Sequence, residues 1–513
     1  MKNKKNIAKR FFKSRMYFII TLFLLEILFL VITSMTLSSF GFNRFVTTGS
    51  RFIFLIIDLY FIVYILNSDK HPRYKLAWVL LVAIFQSLGV LMYLIFADKK
   101  IPYELTNDYL KNQDLLSQDE IVNEKIKDRS ILKQYISTAE CGYPYYLNSS
   151  LDYYSNGEEY FEGLLKEIGK AENFIFLEYF IVKNGDMLET LIEALRKKIS
   201  EGVKVYLMYD DGGSLEAMPD GLKERLNSYG INVCVFSPVK ISLLLLSMTN
   251  HRDHRKIVVI DNTVAFSGGI NIGDEYINKV VRFGHWKDSG IKVCGECVKN
   301  FTVSFIQFYN YYADEKLNVE DFLLKHEFKT KNNIVLPFVD SPTDNTNTCK
   351  SIHLNMINSA KDYIYMATPY LIIDEEIENA LINAAKSHVD VRILLPYIPD
   401  KKSVFMVTRS HYQKLVSNGV KIFEYTPGFI HSKDFVCDDK IGLVGTVNMD
   451  YRSYYLHYEC GFLIHNDKVL LKIKENFIKT AEFSHEITMK EIKQTKAIVH
   501  VARAIMNMFA PLL

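Results

Sequence analysis

The chain has 513 residues, enough for more than one domain, with 49% hydrophobic residues and a formal net charge of +2. That balance carries no electrostatic footprint for nucleic acid and excludes bulk charge as the basis of partner choice. Seven cysteines, odd in number and scattered, exclude a disulfide framework, and Cys294-Gly-Glu-Cys297 is a lone CxxC read as two ordinary thiols at a strand end.

Lys2, Lys4, Lys5, Lys9, Arg10, Lys13 and Arg15 precede an apolar run, Met16–Leu37. The run is too long for a signal peptide and further apolar runs follow it, so it reads as an anchor. Candidate membrane spans are 16–37, 46–66 and 76–97, within an anchor region of residues 1–100. Arg51 shortens the apolar part of the second, whose alternative is a re-entrant or interfacial helix. Glu26 and Asp58 lie inside the first two and are expected to face a neighbouring helix or an interface. The basic N-terminus is expected on the cytoplasmic face. Three spans then place the rest of the chain outside, and two place it inside.

Residues 101–141 read as a charged connector. A first α/β half is expected over 142–328. Its strand 173–179 is followed by a helix, Met187–Ser200, with Leu188, Leu191, Ile192 and Leu195 on one face. Strand 202–209, helix 221–229 and strand 231–236 complete the run. Leu243–Leu246, just before the first motif, is either core or a lip that dips into lipid. A linker rich in Asn, Thr, Asp and Pro is expected over 329–350, separating the halves or lying at the edge of one. A second half, 351–489, repeats the order: strand 362–367, helix 377–387, strand 389–396, helix 412–418, strand 419–425. Alternating β and α units in both halves imply an α/β fold. The tail, 490–513, reads as an amphipathic helix with Ile498, Val501, Ala502, Ile505, Met508 and Phe509 at helical spacing. Packing on the core is the expectation and lying on the bilayer surface the alternative.

Two motifs in register organise the chain. His254-x-Lys256-x4-Asp261 is followed after six residues by Gly268-Gly269-x-Asn271, within 248–275. His431-x-Lys433-x4-Asp438 is followed, at the same interval, by Gly445-Thr446-x-Asn448, within 425–452. One H-x-K-x4-D is weak evidence; two in phase with a Gly-small-x-Asn extension are not chance. In a strand, residues i and i+2 share a face, so each His projects beside its Lys. A neutral imidazole beside an ammonium suits attack on a phosphodiester, the Lys holding the anionic oxygens. The Gly-rich turn lets backbone N–H groups and the Asn amide approach phosphate. Since each half carries one motif, the simplest arrangement is a pseudo-two-fold pair with both motifs meeting at the seam.

The duplicated motif resembles the phospholipase D superfamily and its HKD signature. Asn250, Arg252, the run Gly268 to Tyr276 and Trp286-Lys287-Asp288 resemble the first half of bacterial cardiolipin synthases; Asn448-Met449-Asp450-Tyr451-Arg452-Ser453 and Glu459 resemble the second. Two departures are His457, where the family has Asn, and Gln86-Ser87-Leu88-Gly89 in place of a Pro-containing turn. The resemblance implies duplicated phospholipase D-like domains behind N-terminal transmembrane helices in a bacterial cell membrane, multi-pass. It implies phosphatidyl transfer between two phosphatidylglycerol molecules through a phosphohistidine. A membrane-anchored hydrolase, or a transferase using another alcohol, is the alternative. His254 is assigned as nucleophile and His431 as acid and base, with Lys256, Lys433, Asn271 and Asn448 on the non-bridging oxygens. Glu459 is expected to orient His431, and Asp288 to orient His254. Gly269 and Thr446 support the turns, and Asp261 and Asp438 support strand and turn rather than touching phosphorus. No cluster with metal-ligand spacing is seen, so neither metal nor cofactor is expected. The expected partners are phosphatidylglycerol and membrane lipid, with no nucleic acid and no obligate protein partner.

Overall fold

A computed structural model describes residues 44–97, 144–215, 218–219, 221–238, 250–329, 331, 333–342 and 346–512. The expectations for 16–37, for the connector 101–141 and for Leu243–Leu246 lie outside these residues. The chain divides into two compact units, one of Met1–Lys100 with Val239–Asn250 and Ile505–Leu513, the other of the remainder.

In the small unit, α1 (Arg44–Leu66) is followed by α2 (Pro72–Phe96). Pro72 opens α2 at a position where its missing N–H is no loss, and the His71 side chain accepts from Arg73 N. Among the described residues α2 is the one helix long and apolar enough to cross a membrane. It is not straight, however. Gln86 sits at φ 43°, ψ −123°, outside helical geometry, and the Trp78 and Tyr93 rings on either side of it meet at 5.4 Å. The segment expected as a span over 76–97 has the length and composition of a crossing, with a break at Gln86 and its two arms in contact. Asp58 is buried within this unit, as a residue facing a neighbouring helix must be.

In the large unit, the first half contributes β1 (Ser150–Tyr154), β2 (Phe174–Tyr179), β3 (Lys204–Asp210), β4 (Ile231–Phe236), β5 (Arg252–Asp253), β6 (Ile257–Ile260), β7 (Val264–Gly268), β8 (His285–Lys287) and β9 (Gly290–Cys294). The second contributes β10 (Ile334–Asp340), β11 (Tyr363–Ala367), β12 (Asp390–Pro396), β13 (Lys421–Tyr425), β14 (Gly428–Ile430), β15 (Asp434–Cys437), β16 (Ile441–Gly445), β17 (His457–His465) and β18 (Ser484–Glu486). The first sheet runs β1-β9-β7-β6-β2-β3-β4 and the second β10-β17-β16-β15-β11-β12-β13-β18. Strand for strand the order is the same, with β18 added at one edge. In both, three strands joined by helical crossovers pair in parallel (β2, β3, β4 and β11, β12, β13), and the motif hairpin pairs antiparallel beside them.

Of the two readings of the linker, β10 takes the second, the edge of one half. Ile334–Asp340 is buried throughout and pairs with β17 as the edge strand of the second sheet. Pro337 is tolerated there because an edge strand has a side whose N–H groups need no partner. A further helix, α3 (Val298–Tyr312), is buried along most of its length and lies between the sheets: Phe305 stacks on Phe176 of β2 at 4.3 Å, and Phe301 meets Phe462 of β17 at 4.7 Å. The largest core cluster therefore draws on both halves. Cys294 and Cys297 are free thiols.

Helix α4 (Ala497–Met508) covers the expected tail helix; none of its residues is fully buried, Ile498, Val501, Ile505 and Met508 are exposed, and Ala502 is half-buried.

Candidate active site

Each motif places its histidine at the end of a short extended stretch that crosses to the other half. His254 follows β5, which pairs in parallel with the start of β17, and its N–H donates to Tyr458 O at 3.0 Å. His431 follows β14, which pairs in parallel with β8, and its N–H donates to Lys287 O at 2.7 Å. The residue after each acceptor is a carboxylate: Glu459 in one case, Asp288 in the other. The seam is thus reciprocal, as a pseudo-two-fold contact requires.

The side chains follow the backbone. His254 Nδ1 lies 2.9 and 3.0 Å from the two oxygens of Glu459, and His431 Nδ1 lies 2.7 Å from Asp288 Oδ2. The expected pairing, Glu459 with His431 and Asp288 with His254, is corrected to its crosswise opposite. An ionised carboxylate only accepts, so each Nδ1 carries the proton and each Nε2 keeps its lone pair for the reaction. The carboxylates are themselves held. Glu459 accepts from Ser453 Oγ at 2.7 Å and from Thr446 Oγ1; Asp288 accepts from Ser289 N at 2.9 Å and Trp286 Nε1 at 3.3 Å. Gly269 is required by this closeness, since a Cβ there would stand 2.1 Å from Asp288 Oδ1 and 2.7 Å from His431 O. At the matching position of the second half, Thr446 supplies a hydroxyl instead.

Lys256 and Lys433 are buried at 1% and 2% exposure, each donating to the carbonyl of its own motif histidine. Burial pulls Lys256 down to about 8 and Lys433 down to about 7. Burial, reinforced by Lys256, Lys433 and His431, holds His254 well below the ordinary histidine range. Burial and then Lys433 lower His431 to about 4, with Asp288 pulling the other way. Near neutrality the site therefore presents neutral imidazoles beside cationic or half-cationic lysines. A bound phosphodiester anion stabilises every cation in this cluster and raises all four values.

The two Asn residues differ. Asn271 Oδ1 accepts from Ile181 N at 3.0 Å and its Nδ2 donates to Tyr276 OH at 2.9 Å. Asn448 Oδ1 is buried with no hydrogen-bond partner among the described residues, an acceptor suited to a hydroxyl donor rather than to an anionic oxygen. Asp261 and Asp438 face away from the chemistry. Asp261 accepts from Glu172 N, Asn173 N and Phe174 N at 2.7–2.8 Å, and Asp438 from Lys361 N, Asp362 N and Tyr363 N at 2.8–2.9 Å. Each ties the turn after its motif strand to the start of the neighbouring strand.

Phe180 is not singled out in the sequence, and the places of Trp286, Tyr276, Arg255 and His457 around the histidines cannot be read from it. Phe180 packs edge-on to His254 at 5.1 Å, and Trp286 and Tyr276 flank His431 at 5.2 and 5.7 Å. Behind His254, Arg255 is fully buried, donating to Asp253 Oδ1 at 2.9 Å and Ser304 Oγ at 2.7 Å and pairing with Glu178. His457 lies beside His254, ring centroids 5.4 Å apart, and its Nε2 accepts from Arg452 Nε at 3.0 Å. Its departure from the family pattern thus bears on the first motif. His254, His457 and Glu459 bring three ligand atoms within 4.8 Å of one another. This corrects the expectation of no metal-like cluster: spacing along the chain could not show it, because the trio is assembled across the seam. Glu459 already serves His254 there, and Lys256 and Lys433 oppose a cation.

Comparison with known proteins follows the same lines. The family described as "Cardiolipin synthase, PLD-like domain" matches residues 164–281 and 353–481, and "Phospholipase_D-nuclease N-terminal" matches 56–97. A cardiolipin synthase of Alkalihalophilus pseudofirmus is 32% identical over 483 residues, 92% of this chain and 96% of its own length. One from Geobacillus kaustophilus is 33% identical over 478 residues, 90% and 92% respectively. An uncharacterized protein of Streptococcus mutans is 38% identical over 463 residues, 88% and 99%. Among solved structures, the phosphatidylserine synthase of Haemophilus influenzae superposes with a TM-score of 0.55 at 13% identity, covering 71% of this chain and 95% of that one, a likeness of fold.

Proposed function

The chain belongs to the cardiolipin synthase family of the phospholipase D superfamily, and on that premise we propose that it joins two phosphatidylglycerol molecules into cardiolipin with release of glycerol. The observation that carries the mechanism is the reciprocal pair of carboxylate-held histidines at the seam, with a lysine beside each. His254 Nε2, neutral, attacks phosphorus and forms a phosphatidyl-histidine. His431 enters the step as the imidazolium, which the bound phosphodiester and Asp288 stabilise, and gives its Nε2 proton to the departing glycerol oxygen. His431 then takes the proton from the primary hydroxyl of a second phosphatidylglycerol, which attacks phosphorus and frees His254. Both histidines are held by a carboxylate, so the two roles are part of the proposal, and trapping the intermediate decides between them. Lys256, Lys433 and Asn448 are placed on the non-bridging oxygens, with Asn271 as a brace for the turn.

Family membership places the chain with membrane-associated enzymes of phospholipid metabolism. Multi-pass anchoring, with 16–37 and 46–66 as crossings, is part of the proposal, as are catalytic halves over 142–328 and, with β10 included, from about 334 to 489. Purified protein given phosphatidylglycerol as the sole lipid should yield cardiolipin and glycerol in equal amounts with little phosphatidic acid. Predominant phosphatidic acid would instead mark a hydrolase.

A further inference from the structure

The apolar segment Pro72–Phe96 has the length and composition of a membrane crossing but not the shape. In a straight helix, Trp78 and Tyr93 would stand about 22 Å apart. Their rings meet edge to face at 5.4 Å. Nearer the break, a Cβ on Gly89 would lie 2.5 Å from Leu81 O and 2.6 Å from Val82 Cα, so only a glycine admits this approach. Both contacts straddle Gln86 evenly, and Gln86 is the residue that leaves helical geometry. The segment is a helical hairpin. Its arms, Pro72–Phe85 and Ser87–Phe96, reach about 21 and about 15 Å, short of a hydrocarbon core of about 30 Å.

We infer that this segment is a re-entrant membrane hairpin, entering one leaflet, turning at Gln86 and returning, so that His71 and Ala97 emerge on the same face of the bilayer. The occupant of its outer surface is lipid. Trp78, Val82, Gly89 and Val90 are buried between packed helices, whereas the aliphatic Leu76, Ile84, Leu91 and Leu94 point outward and are exposed. Arg73 and Lys75 stand at the entrance, and no charged residue follows until Asp98, the pattern of a segment anchored at the headgroups. A turn within lipid frees backbone groups that hydrocarbon cannot satisfy. Gln86 and Ser87 bring an amide and a hydroxyl to that point.

A crossing reverses sidedness; a fold-back does not. With 16–37 and 46–66 as the crossings, the chain beyond Ala97 continues on the face that holds the basic N-terminus. A straight third crossing would place it opposite.

The test uses full-length protein in sealed membrane vesicles of both orientations. Asp69→Cys and Asp98→Cys are made singly, and each is treated with a membrane-impermeant maleimide, the natural cysteines setting the background. Retained phosphatidyl transfer in each variant shows that the chain is folded. Labelling of both positions from the same face is the expected result, and labelling from opposite faces overturns the hairpin. A fluorophore on Gln86→Cys measures depth separately. Quenching by mid-chain nitroxide lipids is expected, and no quenching overturns insertion. Neither readout depends on which alcohol the enzyme uses as acceptor.

Discussion

Glu459, in the second half of the chain, holds the histidine of the first: its carboxylate oxygens lie 2.9 and 3.0 Å from His254 Nδ1. Asp288, in the first half, holds the histidine of the second at 2.7 Å. Neither half contains a complete catalytic pair. The duplication is therefore chemical as well as architectural, and the seam must form before either imidazole is oriented.

The first prediction concerns those carboxylates. Glu459→Gln and Asp288→Asn keep the shape and remove the charge that orients and supports each imidazole. Each should lower kcat by roughly 10²- to 10⁴-fold, with the protein still folded and in the membrane. Turnover measured on purified variants checks this, and near-wild-type activity in either would remove its carboxylate from the mechanism.

Asp261 and Asp438 should behave in the opposite way. Each accepts three backbone N–H groups and touches nothing at the seam. Replacing either with Asn should cost about 1–3 kcal/mol of stability. That loss is read as a fall of several degrees in Tm. Below the transition, kcat should stay within a few-fold of wild type. A collapse of kcat at unchanged Tm would bring these residues into the chemistry.

Gly269→Ala tests the closeness of the seam. The added methyl would sit 2.1 Å from Asp288 Oδ1, so the carboxylate must move and His431 loses its support. The expected result is a drop in kcat comparable to that of Asp288→Asn, measured in parallel. A silent substitution would show that the Asp288 position is not critical.

The pH profile follows from the lysines. In the free enzyme Lys433 loses its proton near 7 and Lys256 near 8, so positive charge for the phosphate falls as pH rises through that window. On the acid side, His431 takes up a proton near 4, and burial holds His254 well below the ordinary histidine range. Accordingly kcat/KM should decline from about pH 7 upward. Bound phosphate holds the protons on both lysines, so kcat should decline at higher pH than kcat/KM. A kcat/KM flat to pH 9 would contradict this placement of charge.

Much of this was legible in the chain. The parallel strands β2, β3 and β4 and their counterparts β11, β12 and β13 read directly as apolar runs between amphipathic helices. The motif residues were fixed by their two-residue alternation. The rest was hidden for physical reasons. Glu459 and His254 are distant in sequence, so nothing in local spacing could pair them or place His457 beside them. α3 is buried on nearly every side, because it packs between two sheets, and its buried Asn300, Thr302, Ser304 and Gln307 break the one-sided apolar pattern that marks a helix. β10 lay within a polar stretch, its Pro337 masking an edge strand. The fold-back at Gln86 is invisible to hydropathy, which measures how apolar a segment is and not where it turns.

The central claim is that His254 carries the phosphatidyl group, and it is tested most directly by trapping that intermediate. Enzyme mixed with phosphate-labelled phosphatidylglycerol and quenched within one turnover should carry an acid-labile, alkali-stable phosphoramidate. Peptide mapping should place it on His254 and find none in His254→Ala. An adduct on His431 would reverse the two roles, and turnover with no adduct at any time would contradict the covalent mechanism.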